Sequence, residues 1–413
     1  MTAEIINIGD ELLIGQVINT NASWMAQELN AIGIDIIKVT VISDKKEAIK
    51  QSIEIALKKS DIVFITGGLG PTNDDITKIT LCEYFESKLV FNEDNYKRIE
   101  KLFAQRGFEV TELNRKQAEV PDNCKVVPNI NGTASGMWFE KDGKTLISMP
   151  GVPFEMKTMM SDYIIPELAK NINIQIKHKT IHIQGIGESF LADLIKDWEA
   201  ALPEKIKLAY LPQPGLIRLR LTAKGKHNDN LEAIIENEIN KLYKLIPDLI
   251  YGYDDDSLEK VIGELLLRNN KTLSTAESCT GGYISHLITS IPGSSAYYKG
   301  SIISYSNEVK ADLLKVNQET LEKYGAVSKE TVEEMAKSVL KILKTDYAIA
   351  VSGIAGPDGG TNEKPVGLIW IAVASENKVI AEKFLHGEDR GRNIRKSALS
   401  ALNMLRKLIQ SDC

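Results

Sequence analysis

The sequence predicts a multidomain α/β protein. Three observations carry that expectation. The chain has 413 residues, enough for two or three domains at about 150 residues each. Apolar strand-like runs alternate with helical patterns at both ends of the chain. Several of those runs lead straight into glycine-containing loops. Hydrophobic residues at 43% and charged residues at 26% are ordinary for a globular protein, which excludes disordered, collagen-like and coiled-coil classes. Fifty Lys and Arg against 56 Asp and Glu give a net charge of −6, unsuited to a broad nucleic-acid surface. The four cysteines show no Cys-x-x-Cys spacing, so neither a disulfide framework nor a zinc knuckle is indicated. The N-terminus lacks a basic segment followed by an apolar stretch, and no run of about 18 apolar residues occurs; a cytosolic protein with no membrane partner is expected.

The first third reads as strand, helix and strand. Glu4 to Gly9 is a short apolar strand, followed by a helix through Trp24, Met25, Leu29 and Ile32. Ile34 to Ile42 is a second strand, and Ile49, Ile53, Ala56 and Leu57 mark a second helix. Asp61 to Thr66 is a buried-type strand. This repetition predicts parallel pairing, with ligands collecting at the carboxyl ends of the strands. From about Asn171 the texture changes to short strands (178–183 and 217–222) and helices (189–200 and 231–245). Residues 251–256, with three adjacent carboxylates, read as a solvated linker. Ser257 then caps a helix to Arg268, and a second α/β unit follows. Its strands are expected at 271–275, 301–305, 347–351 and 368–374, with helices after Gly281, over 329–343 and from about Asn393. The expected domains are therefore 1–170, 171–250 and 257–413.

Two loops stand out. Thr66-Gly67-Gly68-Leu69-Gly70-Pro71-Thr72-Asn73-Asp74-Asp75 joins a strand to a helix. Its glycines allow close backbone approach to a phosphate, and Asp74 and Asp75 could hold a divalent metal beside it. The alternative is a tight turn with an Asp cap. Asp10 ends the first strand on the same sheet edge, and Asn21 opens the next helix. In the second loop, Ala276-Glu277-Ser278-Cys279-Thr280-Gly281-Gly282, Ser278 sits on a strand-to-helix turn as a candidate nucleophile. The backbone N–H groups of Thr280, Gly281 and Gly282 are candidate oxyanion donors. A plain Ser N-cap is the alternative. Lys310, after an apolar strand, is a candidate base if burial lowers its pKa, with an exposed helix lysine as the alternative. Cys279 has no partner nearby in sequence and reads as packing. Gly185-Ile186-Gly187-Glu188 hints at a nucleic-acid clamp, but it carries an acid and no cation, so no direct nucleic-acid partner is expected.

Taken together, these segments resemble the CinA (competence/damage-inducible protein A) family over nearly the whole chain. Gly-Asp-Glu-Leu-Leu at 9–13, the Thr66–Asp75 loop and Pro-Gly-Val-Pro at 150–153 look like its molybdopterin-binding-like N-terminal domain. The middle region resembles a small KH-like domain. The 276–282 motif, Tyr305 to Lys310 and Ser352 to Gly360 look like its C-terminal amidase domain. The resemblance implies a nicotinamide-nucleotide amidase, which converts nicotinamide mononucleotide to nicotinate mononucleotide and ammonia without a cofactor. It also implies an N-terminal ADP-ribose pyrophosphatase that needs a divalent metal. The implied catalytic residues are Ser278, Lys310 and Tyr305, the tyrosine orienting the lysine. The implied substrate-binding residues are Thr280, Gly281, Gly282, Ser295, Ser352, Gly353 and Arg395 in the amidase, the arginine holding the phosphate. In the N-terminal domain they are Gly67, Gly68, Gly70, Thr72 and Asn21, with Asp10, Asp74 and Asp75 on the metal. Ser135 departs from the family pattern, which has proline there. A homodimer is implied; the competing expectation is a non-catalytic nucleotide- or molybdopterin-binding protein linked to competence.

Overall fold

The computed structural model describes residues 1–72, 75–170, 172–226 and 228–412. The chain forms two compact units, one of residues 1–177 and 223–231 and the other of residues 178–222 and 232 onward.

The first unit is built on β1 (Thr2–Ile8), β2 (Asp35–Ile42), β3 (Ile62–Thr66), a small β4–β5 ribbon (Leu89–Phe91 with Glu119–Pro121), β6 (Lys125–Val127), β7 (Gly136–Lys141) and β8 (Lys144–Met149). The main sheet runs β2-β1-β3-β8-β7-β6. β1, β2 and β3 are parallel, as predicted, and β8 joins them in parallel, but β8-β7-β6 is antiparallel, so the sheet is mixed. The cause is local. Asp142 and Gly143, with φ of 52° and 74°, return β7 directly into β8, a two-residue connection open only to antiparallel neighbours. Alternation along the strands covers both faces. Ala3, Ile5 and Phe64 pack with Met25 and Leu29 of the helix Thr20–Ala31. Ile6, Ile8, Val63 and Ile65 pack with Ile49 and Ile53 of the helix Lys46–Lys59.

A four-stranded sheet follows, ordered β10-β11-β9-β12 (β9 Ile174–Ile183, β10 Ile206–Gln213, β11 Leu216–Lys226, β12 Ile250–Tyr253). The expected linker over 251–256 is thus partly a strand. Two of its three carboxylates are tied down rather than repelling freely. Asp254 pairs with Lys179 at 2.7 Å, and Asp256 pairs with Lys260 at 3.0 Å and accepts the N–H of Tyr253 at 2.9 Å.

The C-terminal sheet runs β14-β13-β15-β16-β17 (β13 Leu273–Glu277, β14 Tyr298–Ile303, β15 Tyr347–Gly353, β16 Leu368–Ser375, β17 Val379–Leu385). Its two faces differ in size of residue. Leu273, Ile349, Val351, Ile369, Ile371 and Val373 face the C-terminal helix (Arg390–Asp412) and the helix Leu258–Arg268. Ala276, Ala348, Ala350, Ala372 and Ala374 face the helix Lys329–Leu343, whose Val332, Met335 and Val339 supply the bulk. Large against small across the interface keeps the packing dense. β13 pairs in parallel with both β14 and β15, Glu277 opposite Ile303 and Val351, so three strand ends meet at one edge.

Candidate functional site

At that edge each strand delivers one wall of a pocket. β13 leads into Ser278, β14 into Ser304 and Tyr305, and β15 ends at Ser352 and Gly353. The ladder continues past the strands: Ser278 N–H donates to the Val351 carbonyl (3.0 Å) and Ser304 N–H to the Glu277 carbonyl (2.8 Å). Ser306 then caps the short helix Asn307–Asp312, which carries Lys310 back toward the sheet. Lys310 is 1% exposed. Its Nζ lies 3.1 Å from Ser278 Oγ and donates to the Ser304 carbonyl at 2.7 Å. Burial pulls the amine below the ordinary lysine pKa. Beside it, burial pushes the Cys279 thiol up to about 12, so it stays protonated at neutral pH and is not a thiolate nucleophile.

The pocket holds about 240 Å³ and is lined by Ser278, Cys279, Tyr305, Asn307, Lys310, Ala326, Val327, Ser352, Gly353, Ala355 and Arg390. Ser278, Lys310, Tyr305, Ser352 and Gly353 are therefore brought together. Others are not. Ser295 is exposed outside the lining. Arg395 lines a different cavity, and Arg390, one and a half turns earlier on the same helix, takes the place expected for it. Arg390 Nη1 donates to the Gly356 carbonyl (2.9 Å) and Nη2 to the Tyr305 hydroxyl (2.9 Å). Tyr305 thus partners the arginine; the lysine is oriented by the Ser304 carbonyl.

The oxyanion donors also shift. Glu277, fully buried, accepts the N–H groups of Gly282 (3.0 Å), Ile284 (3.0 Å) and Ser285 (2.8 Å), together with the Ser285 hydroxyl (2.8 Å). Gly281 N–H donates to the Ser278 carbonyl (3.1 Å). Gly281 and Gly282 are thereby engaged. Among the described residues the Thr280 N–H has no backbone or side-chain acceptor and the Cys279 N–H meets only its own thiol; both directly follow Ser278. Glu277 was legible as the acid preceding Ser278, but its capping role depends on the helix Tyr283–Thr289 turning back over the strand end.

In the first unit the Gly67–Gly70 loop lines a cleft of about 400 Å³. Gly67 has φ +111°, and a Cβ there would lie 2.2 Å from the Ile8 carbonyl oxygen, so only glycine fits this crossing of β3 past β1. Gly67, Gly68, Gly70 and Asp75 reach the cleft; Asp10, Asn21 and Thr72 do not line it. Asp10 is exposed and donates its N–H to Asp44 (3.0 Å). Asn21 is buried and donates to the Gly151 carbonyl (2.7 Å), bracing the 150–153 loop. Thr72 closes a turn with Asp75, giving its N–H (3.0 Å) and hydroxyl to one carboxylate oxygen. Asp74 lies outside the described residues. The carboxylates that line the cleft are Glu11, Asp44, Asp75 and Glu155. Asp44 follows β2 and could have been found by the same strand-end rule that selected Asp10. Among the described residues no group of three or more His, Cys, Asp or Glu side chains is arranged to hold a metal ion; the expected Asp10, Asp74 and Asp75 set includes a residue outside them. No helix among the described residues is long and apolar enough to cross a membrane.

Sequence comparisons agree with this architecture. Residues 4–170 match the probable molybdopterin binding domain, residues 178–252 the damage-inducible protein CinA KH domain and residues 255–409 the CinA C-terminal domain. A CinA-like protein of Cytophaga hutchinsonii is 49% identical over 409 residues, 99% of this chain and 98% of that one. A CinA-like protein of Flavobacterium psychrophilum is 47% identical over 414 residues, 99% of each. The crystal structure of competence/damage inducible protein CihA from Agrobacterium tumefaciens is 40% identical and covers 37% of this chain and 93% of its own, with a TM-score of 0.36. The chain belongs to the CinA family, with a molybdopterin-binding-like domain, a KH-like domain and a CinA C-terminal domain.

Replacing the buried Glu277 with alanine leaves three backbone N–H groups without their acceptor. Glu277→Ala is expected to lower the stability of the C-terminal unit by about 3 kcal/mol, and Glu277→Gln by less. Calorimetric melting checks this, and equal melting temperatures for the three proteins would contradict the capping role.

Proposed function

We propose that the C-terminal domain hydrolyses the carboxamide of nicotinamide mononucleotide, releasing ammonia. The 3.1 Å approach of a buried Lys310 amine to Ser278 Oγ carries the proposal. The uncharged amine takes the hydroxyl proton as Oγ bonds the carboxamide carbon, and the carbonyl electron pair moves onto oxygen. The N–H groups of Cys279 and Thr280 are placed to receive that oxyanion; losing one such donor typically costs about 100-fold or more in rate. Lys310 then protonates the leaving nitrogen, the C–N bond breaks and ammonia departs. Water, losing its proton to Lys310, attacks the nicotinoyl ester; the ester C–O bond breaks and Ser278 regains its proton. Arg390, held by Gly356 and Tyr305 at the pocket wall, suits a phosphate.

A second activity is supported by the N-terminal cleft. Its glycine loop admits a close backbone contact with pyrophosphate, while its lining carries four carboxylates and no Lys or Arg. An unaccompanied pyrophosphate would be repelled there, which favours ADP-ribose entering with a divalent cation. We assign this cleft a metal-dependent ADP-ribose pyrophosphatase activity. The assembly proposed is a homodimer.

Ser278→Ala and Lys310→Ala are expected to abolish ammonia release from nicotinamide mononucleotide, with far-UV circular dichroism unchanged. Lys310→Arg fails as well, because a guanidinium stays charged. The active form is the neutral amine, so kcat rises as pH climbs through the Lys310 pKa and falls below it; a rate independent of pH, or full activity in any of the three variants, overturns the mechanism. Incubation with ADP-ribose and Mg²⁺ is expected to yield AMP, suppressed by EDTA and by Asp44→Asn with Glu155→Gln. Ligand binding without ammonia or AMP would instead identify a non-catalytic binding protein. Sedimentation equilibrium is expected to give about twice the 45.8 kDa chain mass, and a chain mass at micromolar concentration excludes the dimer.

A further inference from the structure

Arg395 lines a cavity of about 370 Å³ between the KH-like sheet and the C-terminal helix. This cavity is separate from the Ser278 pocket, and its wall includes His182, Arg218, Tyr251, Glu259 and Tyr283 as well as Arg395. Several of its polar groups are already satisfied. Asp254 and Asp256 are paired with lysines at 2.7 and 3.0 Å. His182 is buried, with Nε2 2.7 Å from the Asp254 carbonyl oxygen and Nδ1 3.3 Å from the Tyr251 hydroxyl.

The remaining charges are not satisfied. Arg218 Nε is buried with no hydrogen-bond partner. Among the described residues the side chains of Arg218, Arg395, Glu259 and Asp255, all of which line the cavity, form no hydrogen bond or ion pair. Two open guanidiniums facing one concavity call for a bidentate anion, and a buried N–H without an acceptor is costly. Asp255 and Glu259 in the same lining would repel a plain anion but accept sugar hydroxyls. The half-buried Tyr283 supplies an aromatic ring for a planar base, whereas Tyr251 is buried beside His182. The volume lies within the range of small-molecule sites.

We propose that this cavity binds a nucleoside 5′-phosphate, with the phosphate on Arg218 and Arg395, the ribose hydroxyls toward Asp255 and Glu259 and the base against the Tyr283 ring. The binding claim stands whether or not the amidase assignment holds.

Calorimetric titration of the full chain with AMP tests it. Arg218→Gln with Arg395→Gln is expected to weaken one AMP-binding event at least tenfold, and Tyr283→Ala about fivefold or more. In the unaltered chain, AMP should shift the ¹⁵N resonance of Arg218 Nε, a readout that stands if the double variant misfolds. An unmoved Arg218 signal at saturating AMP, or identical isotherms for the unaltered chain and a folded double variant, overturns the proposal. Equal affinity for inorganic phosphate and AMP overturns the nucleotide assignment.

Discussion

The C-terminal site depends on one constraint: a lysine amine enclosed at a sheet edge with no carboxylate hydrogen-bonded to it. Lys310 Nζ touches the Ser278 hydroxyl and the Ser304 carbonyl. An ammonium there would lose its hydration without gaining a counter-ion, so the enclosure favours the neutral amine, the form that can take a proton. The enclosure rests on three strands ending in register and on the Ser306 cap that turns Lys310 inward. The same burial excludes the neighbouring thiol, because desolvation outweighs the nearby Lys310 and Arg390 and keeps Cys279 protonated.

The two clefts solve opposite electrostatic problems. In the C-terminal pocket the ionisable side chains are basic, one whose charge burial disfavours (Lys310) and one held at the wall by a carbonyl and a phenol (Arg390). In the N-terminal cleft the lining is wholly acidic in its charged groups, with Asp75 locked to Thr72 and Glu155 accepting from Asn129 at 2.6 Å. Both exploit the carboxyl ends of parallel strands, where the backbone fans apart and loops can diverge. The antiparallel strands of each sheet, β6–β7 and β16–β17, extend the hydrophobic platform without contributing to either lining.

Much of the site was legible because its residues sit immediately after apolar strands. Ser278, Tyr305, Ser352 and Gly67 each follow this rule, and periodicity alone placed the strands before them. Arg390 and Arg395 were not separable, since both lie at one end of a single helix and local pattern carries no information about which face meets a pocket 100 residues away in sequence. Glu277 was likewise hidden. Its carboxylate is buried only because the succeeding helix folds back to present three N–H groups. Thr280, Gly281 and Gly282 share the expected turn, but competition from Glu277 for the Gly282 N–H moves the free donors to Cys279 and Thr280.

The order of strands and helices, the glycine crossings and the strand-end position of the Ser278 hydroxyl follow from local chemistry, because strand periodicity, capping and positive φ are properties of short segments. Which carboxylates face the N-terminal cleft, which arginine stands beside Tyr305 and whether Lys310 is shielded from water follow from packing between segments distant in the chain. Those depend on sheet register and helix rotation, which no short stretch of residues encodes.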